Sequence, residues 1–151
     1  MPVQKLTEFL NRHNVKYVTI RHSPAHTAQE IAASAHIPGK ELAKTVIVNL
    51  DGKIVMATLP ASSNVNFEAL KNAAGAKEAE LASEEEFKRV FPDCEIGAMP
   101  PFGNLYGMEV FASETLAQDE EIAFNAGSHT ELVRLAYKDF VRLVNPRLAK
   151  F

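Results

Sequence analysis

The chain of 151 residues lacks several features that would assign it to a broad class at once. It has a single cysteine, Cys94, so no disulfide can form within the chain, and we expect a cytoplasmic location. No apolar run approaches the roughly 20 residues of a membrane span. Residues 1–17 also lack the apolar core of a signal peptide. We therefore expect no membrane contact.

The usual signatures of nucleophilic, nucleotide-binding and metal chemistry are missing too. The sequence contains no GxSxG, P-loop or GxGxxG pattern. His22 and His26 are four residues apart, but Pro24 between them disfavours a helical pair of metal ligands. Cys94 has no neighbouring base in the sequence, which favours a buried or inert thiol over a nucleophile. We expect neither a metal nor a cofactor.

An excess of positive charge is also absent, since the formal net charge is −3. Any contact with nucleic acid must then use a local basic patch and be sensitive to salt. The acidic residues concentrate at 78–95 and 109–121, whereas the C-terminal part is basic. Arg134, Lys138 and Arg142 are each four residues apart and would form one basic stripe if this part were helical. The alternative is a solvated helix face.

The hydrophobic fraction of 46% is that of an ordinary globular protein, and we expect one domain over residues 1–151. Apolar spacing predicts an N-terminal amphipathic helix, and residues 15–20 have the alternation of a strand. Thr27 and Glu30 have the form of a capping box, which predicts a short helix. Residues 44–60 predict a hairpin that turns at Asp51-Gly52.

The second half of the chain predicts a further mixture of elements. Gly75 should end a helix that begins near Asn66, and Ser83 with Glu86 predicts a helix that Pro92 stops. Strands are predicted at 108–112 and 121–126, and an amphipathic helix at 137–144. Because the hairpin implies antiparallel pairing among interspersed helices, we expect a mixed α/β domain around one curved sheet.

Three features could carry chemistry. The neutral stretch Gly97–Gly107 contains two adjacent prolines and three glycines, so it can present fixed backbone groups to a ligand; the alternative is a structural turn. Lys44 begins an apolar strand, where it can hold a phosphate or polarise a carbonyl, or only extend its ammonium to solvent. Residues 127–129, Gly-Ser-His, follow a strand and either face a ligand or form a polar turn.

Taken together, these positions resemble the YbaK-like family. That family includes free-standing aminoacyl-tRNA deacylases and the editing domain inserted in bacterial prolyl-tRNA synthetases. The matching stretches occur in family order and cover nearly the whole chain. They are RHSPAHTAQEIA, GKELAKTVIV, LPASSNVNFEALK, FPDCEIGAMPPFGNLYG and FNAGSHTELVRLAYKDFVRLVNP.

The resemblance implies a barrel-like mixed sheet surrounded by helices, and hydrolysis of the ester between a wrong amino acid and the tRNA 3′ end. Lys44 matches the key lysine of the family, Gly97 to Pro101 match its GxxxP loop, and His129 matches its pocket histidine. The PPFG sequence departs from the serine- or threonine-containing loop of the cysteinyl-tRNA-type members. The chain therefore looks more like the free-standing relatives of the prolyl-tRNA synthetase editing domain.

We accordingly expect catalytic roles for Lys44, Gly97 and His129. The expected substrate contacts are His22, Thr27, Ala98, Met99, Pro100, Pro101, Phe102, Gly103, Gly127 and Ser128. The expected tRNA contacts are Arg134, Lys138 and Arg142. The expected partners are a mischarged tRNA, through its 3′ aminoacyl end, and an aminoacyl-tRNA synthetase. Alanine on proline tRNA is the first expectation for the substrate, with serine, threonine or another small residue open. A non-catalytic module that binds tRNA or a synthetase, or a small-molecule binder, is the alternative.

Overall fold

The computed structural model describes residues 3–22 and 41–151, which form four α-helices, eight strands and two short 3-10 helices. The helices are α1 Gln4–Arg12, α2 Phe67–Ala74, α3 Glu84–Phe87 and α4 Tyr137–Val144, and the 3-10 helices are Gly103–Tyr106 and Glu114–Gln118. The strands are β1 Tyr17–Arg21, β2 Leu42–Leu50, β3 Lys53–Pro60, β4 Ala79–Leu81, β5 Val110–Ser113, β6 Glu121–Asn125, β7 Glu131–Ala136 and β8 Arg147–Ala149. The helix expected from Thr27 lies outside the described residues.

All eight strands belong to one mixed sheet in the order β1-β7-β6-β2-β3-β5-β8, with β4 paired to β2. The pairs β2/β6, β3/β5 and β5/β8 are parallel, and the other pairs are antiparallel. Within the described ranges no pair joins β1 to β8, so these strands leave the sheet open. The mixed α/β fold predicted from the sequence is confirmed.

The pairing of β2 leaves a gap at one of its edges. One edge pairs with β3 along nearly the whole strand. The other edge pairs with β6 at Leu42 and Ala43, and with β4 from Val48 to Leu50. Among residues 3–22 and 41–151, positions 44–47 therefore have no strand beside them on that second edge.

The hairpin between β2 and β3 turns where the sequence predicts. Asp51 and Gly52 have φ of 52° and 88°, the two positive values that a tight two-residue hairpin turn needs. Backbone N–H groups of Lys77 and Glu78 donate to the Asp51 carboxylate, at 2.8 Å from Glu78. Strand β2 begins two residues earlier than predicted, so Lys44 is its third residue.

Apolar packing covers both faces of the sheet. On one face Leu6 and Leu10 of α1 and Phe140 of α4 belong to the larger cluster of buried residues. On the other face Leu70 of α2 packs in a second cluster with Val48 and Val55. Helices α1, α2 and α4 thus each pack on the sheet through one apolar face, as amphipathic helices do.

The helix predicted from the capping box of Ser83 and Glu86 is shorter than expected. The capping box forms, since Ser83 N–H donates to Glu86 Oε1 at 3.0 Å, but the helix ends at Phe87, well before Pro92. Turns follow, and Phe91 is buried with its ring 4.5 Å from that of Tyr106. Tertiary contacts of Phe91 thus replace the last helical turn.

The prediction that Arg134, Lys138 and Arg142 form one basic stripe on a helix is wrong. Arg134 lies in β7, whereas Lys138 and Arg142 lie in α4. Val133 and Leu135, on either side of Arg134, are buried in the core. Because β7 has a strand partner on each side, backbone pairing and burial override the four-residue spacing of the charges.

None of the helices in the described part of the chain combines the length and apolar character needed to cross a membrane.

Candidate functional site

Two segments that are distant in the sequence are joined by backbone hydrogen bonds. They are the start of the glycine–proline loop, residues 95–99, and the Gly-Ser-His turn, residues 127–129. Glu95 N–H donates to Gly127 O at 2.8 Å, and Gly127 N–H donates to Ala98 O at 2.9 Å. The loop and the turn, which the sequence analysis singled out separately, therefore form one unit.

His129 is held in this unit through both its backbone and its ring. Its backbone N–H donates to Glu95 Oε2 at 3.0 Å. Its ring atom Nε2 lies 2.9 Å from Ile96 O, and since a carbonyl oxygen only accepts, Nε2 carries the hydrogen of this bond. The side chain is only 12% exposed. The contacts with Glu95 and Ile96 thus define both the position and the orientation of the imidazole.

Gly97 faces that imidazole. Its φ of +87° lies in the region that L side chains rarely adopt, and a Cβ there would lie 3.6 Å from His129 Cε1. Its backbone N–H donates to Met99 Sδ at 3.3 Å. A thioether sulfur is a weak acceptor, so this N–H of an exposed residue can donate to a better one.

Residues 98–103 of the predicted loop are packed inside the protein. The buried positions are Ala98, Met99, Pro100, Pro101, Phe102 and Gly103. The Phe102 ring packs against Phe124 and Phe140, with centroids 5.5 and 6.0 Å away. A Cβ on Gly103 would lie 2.8 Å from Met108 O, so a close backbone approach requires glycine there. The structure thus places Phe102 and Gly103 in the core, and Gly97 at the surface.

Two hollows adjoin the joined loop and turn. A pocket of about 310 Å³ lies beside Gly97, where β2 has no strand neighbour. Its lining is mainly apolar and includes Thr45, Val46, Ile47, Leu81, Phe87, Ile96 and Met99. An open cleft of about 750 Å³ borders Glu95, Gly127 and Ser128 and extends to α1. Met99 therefore lines a pocket, and its contact with a substrate stays a prediction.

Lys44 lies on β2, next to the gap in the pairing of that strand. Loss of water around the half-buried ammonium lowers the pKa of Lys44, with no carboxylate of the described residues opposing the shift. Strand alternation places its side chain on the opposite face from Ala43 and Ile47. No described contact joins Lys44 to Gly97 or His129, so its place in the same site stays a prediction.

The remaining predicted residues divide among three places. His22 N–H donates to Thr130 O at 2.9 Å, and Ser128 Oγ lies 3.3 Å from Thr130 Oγ1, so both residues adjoin the Gly-Ser-His turn. Thr27 lies outside the described residues. Lys138 and Arg142 are exposed on α4, where Arg142 pairs with Asp139 at 3.1 Å.

Two residues of this region were not predicted. Glu95 belongs to an acidic stretch of the sequence, yet its carboxylate accepts a hydrogen bond from His129, far along the chain. Asn125 ends β6, and its Oδ1 atom is buried without a hydrogen-bond partner. Neither has a local sequence signal. Within the described ranges, no group of three or more His, Cys, Asp or Glu could hold a metal ion.

Comparisons with known proteins identify the family of this chain. Residues 22–143 match the family model of the aminoacyl-tRNA editing domain. The chain is 32% identical over 89 residues to a proline–tRNA ligase of Bacillus mycoides (strain KBAB4), and 33% identical over 89 residues to that of Bacillus cytotoxicus. Each match covers 59% of this chain but only 16% of the ligase.

Solved structures share the fold at low sequence identity. A proposed trans-editing enzyme for prolyl tRNA synthetase superposes with a TM-score of 0.83 at 18% identity, covering 98% of this chain and 94% of its own. A hypothetical protein superposes with a TM-score of 0.87 at 20% identity, covering 97% and 98%. The family model extends over His22, Lys44, the glycine–proline loop and the Gly-Ser-His turn. The chain belongs to the aminoacyl-tRNA editing domain family.

Proposed function

We propose that this protein is an aminoacyl-tRNA deacylase that acts in trans, hydrolysing the ester between a wrongly attached amino acid and the tRNA 3′ end. The observation that carries the proposal is the hydrogen-bonded junction of the loop and the turn, which sets Gly97 beside the His129 imidazole. Family membership supports it independently.

An aminoacyl ester is already activated, so its hydrolysis needs a positioned water and a place for the oxyanion rather than a strong nucleophile. Water adds to the ester carbonyl, and the electron pair of the C=O bond moves onto the oxygen. The Gly97 N–H, whose acceptor among the described residues is a thioether, is the donor for that oxyanion. When the intermediate collapses, the amino acid leaves as a carboxylate and the ribose recovers its hydroxyl. The neighbouring ribose hydroxyl helps to activate the water.

Binding of the nucleotide falls to Lys44. A half-buried ammonium without a carboxylate partner among the described residues is suited to a phosphate, because neither partner then has to abandon an existing ion pair. The neutral loop takes the amino-acid end, where Gly97 and Met99 line an apolar pocket and His129 adjoins it. Walls of this kind exclude larger side chains by steric overlap.

The proposed substrate is alanine on proline tRNA. The similarity to proline–tRNA ligases and the PPFG sequence of the loop support this choice. The proposed partners are the tRNA 3′ end and prolyl-tRNA synthetase, and the proposed site of action is the cytoplasm, where that synthetase charges its tRNA.

A panel of mischarged tRNAs tests the activity. We expect hydrolysis of alanine-charged proline tRNA, and at least about a tenfold lower rate in Lys44→Ala, the effect of losing one charge-assisted contact. Lys53→Ala is the matched control, because Lys53 is exposed on the neighbouring strand and pairs with Glu109 at 3.4 Å. Both variants should remain folded, as judged by circular dichroism and Tm. A fully active, folded Lys44→Ala protein would contradict the assignment. Binding of tRNA without hydrolysis of any charged form would favour a non-catalytic module.

Met99 provides a test of the pocket. Met99→Ala enlarges the pocket, so the ratio of hydrolysis rates for alanine- and proline-charged tRNA should fall, by up to about tenfold for a gap of one or two methylenes. Met99→Leu removes the sulfur but keeps the volume, so it should preserve this ratio. Equal ratios in all three proteins would place the amino-acid pocket elsewhere.

A further inference from the structure

Three polar side chains stand on one face of three neighbouring strands. They are Lys44 of β2, Asn125 of β6 and Arg134 of β7. The parallel pairs between β2 and β6 end at Ala43 and Phe124, and Lys44 and Asn125 are the next residue of each strand. Ala123 pairs with Arg134, which sets Arg134 diagonal to Asn125. Asn125 thus lies within about 8 Å of each of the other two, whereas Lys44 and Arg134 are two strands, about 10 Å, apart.

The residue that precedes each of the three in the sequence shows which face of the sheet they occupy. The larger core cluster contains Ala43, Phe124 and Val133, so alternation directs the three polar side chains to the other face. Glu121 shares that face, but it is exposed at the start of β6, at the far end of the strand from Asn125. The described residues that pair directly with the three are all uncharged. The strands therefore present two cations and an amide with no carboxylate directly opposite them in the described part of the sheet.

Two polar atoms of this group, Asn125 Oδ1 and Arg134 Nε, are buried and have no hydrogen-bond partner among the described residues. The Lys44 ammonium is also partly withdrawn from water, which lowers the pKa of Lys44. Folded proteins pair nearly all of their buried polar groups, because an unpaired one weakens the fold. A ligand that supplies the missing partners explains why such residues stand here.

We infer that Asn125 and Arg134 join Lys44 in binding the 3′-terminal nucleotide of the tRNA, an assignment that rests on the proposed function. Arg134 and Lys44 hold its phosphate, since guanidinium and ammonium groups donate to phosphate oxygens. Asn125 Oδ1 accepts a hydrogen bond from a ribose hydroxyl, because an amide oxygen matches a hydroxyl donor. The terminal ribonucleotide and the amino acid of the substrate thus bind at two different places, the nucleotide at these three residues and the amino acid at the glycine–proline loop.

Binding of adenosine 5′-monophosphate, followed by NMR titration, measures this site without any hydrolysis. We expect Asn125→Leu and Arg134→Met each to weaken binding about tenfold, and the control Arg147→Met to change it less than twofold, because Arg147 is exposed and already pairs with Glu109 at 3.3 Å. Adenosine and the 2′-deoxy nucleotide separate the roles. Arg134→Met should remove the preference for the phosphate-bearing ligand, and Asn125→Leu the preference for the ribonucleotide.

Thermal stability separates ligand binding from a structural role. Each substitution removes a buried polar atom that has no partner, so Tm should stay constant or rise. A Tm that falls together with affinity would show that the residues support the fold, and would overturn the inference. So would the absence of saturable nucleotide binding to the unaltered protein.

Failure of the proposed nucleotide site can be told apart from failure of the proposed deacylase activity. If Lys44-dependent hydrolysis of charged tRNA persists at full rate in Asn125→Leu and Arg134→Met, this nucleotide site is refuted while the deacylase stands. If these residues bind the nucleotide but no charged tRNA is hydrolysed, the deacylase is refuted while the site stands.

Discussion

The substitution Gly127→Ala should destabilise the protein, because the start of α1 packs directly against this glycine. Gly127 has φ of +103°, and a Cβ there would overlap Val3 Cγ2 and lie 3.3 Å from Val3 Cβ. Val3 cannot easily retreat, because its N–H donates to Ala126 O at 2.9 Å and it caps α1. The turn that carries His129 must shift to admit a methyl group.

The expected cost has two parts. Holding a residue with a Cβ at positive φ costs about 1–2 kcal/mol. Overpacking against Val3 costs about 1–3 kcal/mol more. A sum of about 2–5 kcal/mol corresponds to a fall in Tm of about 4–20 °C for a chain of this length. Deacylation should fall as well, even below Tm, since His129 follows two residues later.

Thermal unfolding of matched variants checks this reasoning. Gly75 ends α2 with φ of +70°, and a Cβ added there would meet nothing within 4 Å, so Gly75→Ala should show only the backbone cost, about 1–2 kcal/mol. Adding Val3→Ala to Gly127→Ala should recover the overpacking part. If Gly127→Ala proves as mild as Gly75→Ala, or if Val3→Ala gives no rescue beyond its own effect, the close approach of α1 is refuted.

Three further predictions follow from single residues. Glu95→Ala removes the acceptor of the His129 N–H, so the rate of deacylation should fall about threefold to tenfold, as for the loss of a hydrogen bond of roughly 1 kcal/mol. Glu95→Gln keeps an acceptor oxygen and should keep most of the activity. Equal rates for the two variants would contradict this prediction. Burial raises the pKa of Cys94 to about 11. Alkylation of Cys94 by iodoacetamide should therefore be slow at about pH 8 and become faster as the pH approaches this pKa. Rapid alkylation at about pH 8 would contradict the prediction, because it would show an accessible thiolate. Backbone hydrogen bonds lower the pKa of Asp51, so its contribution to stability is present above its unfolded pKa of about 3.9 and is lost as pH falls through the folded value. The Tm of Asp51→Asn should therefore fall less on acidification than that of the unaltered protein, and parallel curves would contradict this.

Local signals predicted much of the fold. Asp51-Gly52 predicted the hairpin and Gly75 the end of α2, because both depend on which residues tolerate positive φ at one position. The helix over Tyr137–Val144 followed from its apolar spacing. The family resemblance added the grouping of Lys44 with the loop and the turn, which no single pattern contained.

The amino-acid sequence by itself determined the mixed α/β class, the hairpin, the bounds of α2 and α4 and the chemical character of the loop. Only the tertiary structure decided that Arg134 lies in a strand, and that Phe102 belongs to the core. It also decided that Glu95 holds His129, and that Asn125 ends β6 with a buried oxygen that has no partner. Turns and helix ends are set by neighbours within a few residues, so the sequence displays them. Strand partners and buried polar contacts join residues far apart in the chain, and their pairing exists only after folding.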